Sequence, residues 1–284
     1  MCYSRINEKK AEDFIMTRHL IAVDLDGTLL KDDKTISAAN IAALQRARAN
    51  GHEVVIATGR PFRHARKYYE QLGLTTPIVN FNGGLVHHPQ DAHFEVQHHP
   101  IPLKTVQHIL ESVAETKTQN IVCEVTDHVY FQYDPVGIYE FYTDHALSVT
   151  TGDLRKVLLH EPTSLLIHAK GEHVDEIRSE LSGVHAEAVL NRQWVKPEFM
   201  VEVMRKGTSK AVGLAHIARH LGIDSKQIVA FGDEENDLEM IEYAGHGVAM
   251  GNAIPALKHL ANGTTKRNED DGIAYYLRHV LGLA

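Results

Sequence analysis

The chain has 284 residues, with 37 acidic against 29 basic side chains and a formal net charge of −8. That length suits one large domain or two modest ones, and 43% hydrophobic with 23% charged residues is ordinary globular composition rather than that of a disordered or fibrous chain. The acidic balance argues against a nucleic-acid-binding protein, no apolar run reaches membrane-span length, and two cysteines, Cys2 and Cys123, fit a reducing cytoplasm better than a disulfide framework.

Residues 1–15 carry mixed charges and no apolar secretory core, so they read as a disordered or non-native leader with Met16 as the expected start. The apolar run 20–23 predicts a buried strand. Ser37 reads as the N-cap of a helix carrying Ile41 and Leu44 on one face, which Asn50-Gly51 closes. Residues 53–57 form a second strand, 63–72 a helix stopped by Gly73, and 77–80 a third strand. This alternation predicts right-handed βαβ units and a parallel sheet covered on both faces.

The rhythm returns near the end. A helix over 209–221 stops at Gly222, and strand 227–231, helix 234–243 and strand 247–249 follow. Pro255 opens another helix, and 271–281 forms the last one. Between residues 86 and 193 the pattern changes to hairpin strands (121–125, 129–133) and helices (103–116, 172–181), with 12 of the 20 histidines. The sequence therefore predicts an α/β core, a doubly wound, Rossmann-like parallel sheet from residues 16–85 and 194–284. Residues 86–193 are inserted in it as an α+β domain.

In such sheets ligands bind outside the carboxyl ends of the strands, and three polar clusters fall there. Asp24-Leu25-Asp26-Gly27-Thr28 follows the first strand. Two carboxylates at i and i+2 suit a nucleophile and a general acid/base on a tight turn, although Asp-Gly also favours a plain surface turn. Thr58-Gly59-Arg60 follows the second strand and suits a phosphate cradle, since Gly lets backbone N–H groups approach an anion. Gly232-Asp233-Glu234-Glu235-Asn236-Asp237 follows strand 227–231. Carboxylates at 233 and 237 suit one shared ion, or else complement a helix dipole. A fourth element, Lys210 at a helix start, can offer a point charge to phosphate, although an exposed lysine is the usual case at such a position. Arg60 and Arg63 are further candidate substrate contacts, with plain surface positions the equal alternative.

The order and placement of these motifs, with Asn82-Gly83-Gly84 before the insertion and Gly247-Val248-Ala249-Met250-Gly251-Asn252 near the end, resemble the haloacid dehalogenase (HAD) phosphatase superfamily. More narrowly they are similar to its Cof-type, class IIB branch, which carries a large C2-type cap at the position of the insertion. The resemblance implies that Asp24 attacks phosphorus to form an aspartyl-phosphate and that Asp26 protonates the leaving group and then activates water. It implies Mg²⁺ held by Asp24, the Asp26 backbone carbonyl and Asp233, with Asp237 orienting its water shell. Thr58, the Gly59 amide, Lys210 and Asn236 would bind the phosphoryl oxygens, with the Leu25 amide beside them.

The expected function is a cytoplasmic, magnesium-dependent phosphatase of a small-molecule phosphate ester: a sugar phosphate, pyridoxal phosphate or a riboflavin-pathway intermediate. A phosphomutase using the same aspartates is the alternative, and a non-catalytic phosphometabolite-binding protein a more distant one. His87, His88, His93, His98 and His99 crowd thirteen residues, but no Cys or carboxylate stands at zinc-type spacing beside them, so an extended entry into the insertion explains them better than a metal.

Overall fold

The computed structural model describes residues 17–113, 117–183, 188–193 and 199–284. The expected start at Met16 and the leader before it lie outside these residues. Two compact units emerge. One runs to Gly59 and adds Lys67–Glu95 and Ser209–Ala284, and the other comprises Arg60–Arg66 and Val96–Thr208.

The first unit is built on a strand that is apolar throughout. Leu20, Ile21, Ala22 and Val23 are all fully buried, which is the pattern of a parallel strand covered on both faces. Leu20–Val23 pairs in parallel with Ile228–Gly232 on one side and with Glu53–Ile56 on the other. Outside Ile228–Gly232 lie His246–Ala249 and then Gly263–Thr264, while an Ala57–Val79 bridge adds Ile78–Asn80 at the opposite side. Chain order thus reverses at Leu20–Val23. The crevice at a reversal of this kind opens at the carboxyl end, where Asp24 stands.

Local chemistry sets the helix limits. The Ser37 side chain accepts the Asn40 N–H to cap Ala38–Ala49. Ser209 caps Lys210–Leu221, and Gly222, with φ 66°, ends it in the left-handed conformation. The helix expected over 234–243 is instead a 3₁₀ turn, Glu235–Asp237, followed by Leu238–Tyr243. The cause is the Asp237 carboxylate, whose Oδ2 accepts the N–H groups of Asp233 and Glu234 and tightens that first turn. The last expected helix is likewise split, into Gly272–Tyr276 and a π turn at Leu277–Leu281.

The second unit is a six-stranded sheet in the order Val189–Gln193, Met200–Arg205, Ser164–Ala169, Thr118–Val125, His128–Phe131, Ser148–Thr151. Alternate residues divide between its faces. Ile121, Cys123, Leu165, Ile167, Val201 and Val203 pack with residues of the helices Leu103–Ser112 and Val174–Gly183. Val122, Val129, Phe131, Leu166 and Met200 pack with Tyr139 and Tyr142.

The division between units falls at 95/96 and 208/209, where the sequence pattern places it at 85/86 and 193/194. Leu85–His87 pairs antiparallel with Ile78–Asn80, and Phe94 packs its ring against His216 and His220, so this stretch belongs to the first unit. At the return, Met200–Arg205 pairs with Ser164–Ala169 and keeps the chain in the second unit for longer. Arg63, a candidate substrate contact, has a buried side chain that is ion-paired with Glu124 and donates to the carbonyls of Thr126 and Tyr142. The clustered histidines also have local partners: His87 Nε2 meets Asn80 Oδ1, His88 Nδ1 accepts the N–H groups of Gln90 and Asp91, and His98 Nε2 meets the Thr163 hydroxyl.

Candidate active site

The nine residues expected to carry the chemistry or to bind metal or phosphate lie in the first unit, whereas Arg60 and Arg63 fall in the second. Asp24 directly follows the central strand, its N–H donating to Phe231 O at 3.1 Å. Behind it the chain folds into a tight loop, in which the Thr28 and Leu30 N–H groups both donate to Leu25 O. Gly27 sits there with φ +77°, and a Cβ at that position would stand 2.1 Å from Asp233 Oδ2. A side chain at residue 27 would therefore displace Asp233, so the loop brings the first motif against the third only because this residue is glycine.

Lys210, the first residue of its helix and fully buried, donates from Nζ to Asp24 Oδ1 at 2.6 Å and to Asp237 Oδ1 at 2.7 Å. The lysine is no exposed helix-start charge. Thr28 Oγ1 donates to Asp233 Oδ1 at 2.8 Å. Asp24, Asp233 and Asp237 are each buried, and ligand oxygens of the three lie within 4.8 Å of one another. Among the described residues this is the one group of three or more His, Cys, Asp or Glu side chains placed to hold a metal ion.

The electrostatics follow from that packing. Burial raises the Asp24 pKa well above its ordinary value, with Asp237 and Asp233 adding to the rise and Lys210 opposing it. Burial, then Asp237, pushes Asp233 up to about 7, against the Thr28 hydrogen bond and Lys210. Lys210 is held above its ordinary value: burial works against the ammonium, but Asp237 and Asp24 together outweigh it. One cation thus faces three carboxylates in a buried site. The remaining negative charge is costly there without a further cation, so the donor set fits a hard divalent ion.

Asp26 stands apart from this cluster. Its carboxylate is part-exposed and accepts from Lys34 Nζ at 2.8 Å. Thr58 is buried, with its N–H on Val79 O and its carbonyl accepting from Asn82 N–H. Gly59 lies against the Asn82 amide, and Asn236 Nδ2 donates to Asn82 Oδ1 at 2.9 Å. Thr58, Gly59 and Asn236 therefore all meet at Asn82, Thr58 through its main chain and the other two at its side-chain amide.

Four residues of this network carried no role in the sequence reading. Thr28 and Lys34 sit in and just beyond the first motif. Asn82 lies after a strand end, as does Asn252, whose Nδ2 donates to Gly27 O at 2.8 Å. Polar residues at the carboxyl ends of strands were the available signal for the two asparagines. Lys34 gives no such signal, since its approach to Asp26 depends on a turn taken with φ 63°.

Residues 21–277 match the family model of the haloacid dehalogenase-like hydrolases. The chain is 49% identical over 265 residues to the 5-amino-6-(5-phospho-D-ribitylamino)uracil phosphatase YitU of Bacillus subtilis (strain 168), covering 93% of this chain and 98% of that protein. It is 30% identical over 280 residues to the pyridoxal phosphate phosphatase YbhA of Escherichia coli (strain K12), covering 92% and 98%. The crystal structure of TM0651 from Thermotoga maritima has the same fold, with a TM-score of 0.80 at 26% identity over 93% of this chain and 98% of that one. A buried aspartate cluster at the strand-order reversal and matches of this extent agree, and the chain belongs to the haloacid dehalogenase-like hydrolase family.

Proposed function

We propose that this phosphoric monoester hydrolase uses Mg²⁺ and acts on 5-amino-6-(5-phospho-D-ribitylamino)uracil. The substrate choice is supported by the 49% identity to a phosphatase of that compound. The observation that carries the chemistry is the buried cluster of Asp24, Lys210 and Asp233 at the end of the central strand.

The carboxylates of Asp24 and Asp233 and the Asp26 main-chain carbonyl would hold the ion. Asp237 has both oxygens engaged, Oδ1 by Lys210 and Oδ2 by two N–H groups, so it anchors Lys210. When bound, the ion neutralises charge on the phosphoryl oxygens. Lys210, the Thr58 hydroxyl, the Leu25 and Gly59 amides and Asn236 bind those same oxygens and align the phosphorus with Asp24. An Asp24 oxygen forms the new P–O bond as the ester P–O bond breaks, and Asp26 protonates the departing alkoxide. Asp26 then takes a proton from water, which attacks the aspartyl-phosphate and regenerates Asp24 with release of inorganic phosphate.

The test is release of inorganic phosphate from a panel holding the ribitylaminouracil phosphate, pyridoxal phosphate and hexose phosphates, with Mg²⁺ or with EDTA. The expected result is hydrolysis that requires Mg²⁺, with the highest kcat/KM on the ribityl compound. Preference for another ester would overturn the substrate alone. An absence of phosphate release from every ester would overturn the reading.

A further inference from the structure

At the carboxyl end of Ile78–Asn80 three consecutive residues take left-handed backbone angles: Phe81 at φ 48°, Asn82 at 50° and Gly83 at 94°. Asparagine tolerates this region; phenylalanine does so only at a cost of roughly 1–3 kcal/mol. Such a backbone persists where surrounding contacts over-determine it, and here those contacts converge on Asn82, which is 3% exposed. Its N–H donates to Thr58 O at 3.0 Å. Its Oδ1 accepts from Asn236 Nδ2 at 2.9 Å, across 154 positions of sequence. Its amide also bounds Gly59: a Cβ at residue 59 would stand 3.0 Å from Asn82 Nδ2 and 3.2 Å from Oδ1.

We infer that Asn82 is a positioning residue for phosphoryl binding, acting by aiming the amide of Asn236 and seating the Thr58–Gly59 turn. A side-chain amide offers two N–H donors in one plane. When one of them is spent on Asn82 Oδ1, the direction of the other is set, and a part-exposed side chain on a short 3₁₀ turn becomes a preorganised anion donor. The same residue holds Thr58 through its main chain and borders Gly59, so the two phosphate-binding loops share one buried support. The inference rests on the phosphatase reading above.

The test is a cycle of Asn82→Gly, Asn236→Ala and the double variant, read by kcat/KM on a phosphomonoester, by the inhibition constant of inorganic phosphate, and by thermal midpoint. Glycine accepts the left-handed backbone, so Asn82→Gly removes the side chain without new strain. Each single variant should lose about tenfold in kcat/KM and bind inorganic phosphate about tenfold more weakly, the size of one hydrogen bond to a charged group. The double variant should match Asn236→Ala within about twofold, because the Asn82 side chain acts through Asn236 while Asn82→Gly keeps the main-chain bond to Thr58. Multiplying losses in the double variant, or unchanged phosphate inhibition in Asn82→Gly, would overturn the inference.

Should Asn82→Gly fail to fold, Asn82→Asp decides. It keeps the acceptor and the tolerance of positive φ but sets a negative charge beside Gly59, so phosphate binding must weaken; wild-type phosphate inhibition would overturn the inference. If the wild-type protein neither releases phosphate nor is protected by it, the phosphatase reading falls and takes this inference with it. Activity in the wild type with no effect of the variants defeats the inference alone.

Discussion

Lys210 reaches Asp24 across 186 positions of sequence, and its ammonium lies 2.6 Å from the Asp24 carboxylate. The same ammonium touches Asp237 at 2.7 Å, and the lysine is wholly buried. It is the cation that lets two buried carboxylates coexist. Lys210→Met should therefore destabilise the metal-free first unit by about 3–5 kcal/mol, the usual cost of leaving a buried charge without its partner. Added Mg²⁺ should recover part of that loss. Urea unfolding with EDTA and with Mg²⁺ measures both, and an unchanged midpoint in EDTA would show that Lys210 is not the counter-charge.

Asp24→Asn separates chemistry from stability. Loss of the proposed nucleophile should reduce turnover by about 10⁴-fold or more. The fold should be as stable as wild type in EDTA, or more so, because burial already disfavours the charged form of Asp24 and an amide oxygen can still accept from Lys210. Phosphate release and thermal midpoint together check this. Near-normal turnover would remove Asp24 from the nucleophile's role.

Metal removal should be visible without any substrate. An ion that binds only the folded chain stabilises it by mass action, about 2.7 kcal/mol at a hundredfold excess over Kd. The thermal midpoint should rise with Mg²⁺ in the wild type and stay flat in Asp233→Asn, which lacks one of the two carboxylates proposed to hold the ion. A rise of equal size in the variant would place the metal elsewhere.

The parts of this molecule legible in the sequence were those where one residue type has one good reason to be present. Leu20–Val23 is apolar because a central parallel strand is buried on both faces, and the polar residues at its end mark a site because ligands bind there. Ser37, Ser209 and Gly222 mark helix ends through their own hydrogen bonds or φ. The second unit was harder to read. Ser164–Ala169 is buried at every position, so it shows no period of two. Within the site, pairs such as Lys34 with Asp26 and Asn82 with Asn236 come from loop geometry, which composition does not encode. Arg63 shows the converse: a cation near a phosphate motif whose partner, Glu124, is set by tertiary packing.

Arg63 yields a prediction that contrasts with those for the site. Burial raises the Glu124 pKa, and the Arg63 guanidinium opposes that rise. Both side chains are almost fully buried. Arg63→Met should destabilise the second unit by about 3–5 kcal/mol, and Arg63→Met with Glu124→Leu should recover much of it. At temperatures where the single variant remains folded, KM should stay within about twofold of wild type. A large rise in KM with unchanged stability would make Arg63 a substrate contact.

Buried histidines should make the first unit acid-labile. His19 is 1% exposed and its pKa is pushed down to about 4, mainly by burial and then by His52. His52 is lowered by burial too, and its Nδ1 accepts the His19 N–H at 3.2 Å, which requires that nitrogen to be unprotonated. In the unfolded chain His19 titrates near 6.5. Below that pH the unfolded state binds a proton that the folded state refuses, so folding stability is full above about pH 6.5 and falls as the pH drops toward 4. The shift corresponds to at most about 3 kcal/mol for His19. Unfolding free energies measured between pH 7.5 and 4.5 should therefore decline, and His19→Gln should flatten the slope by about one proton. An equal slope in that variant would show that the acid lability has another source.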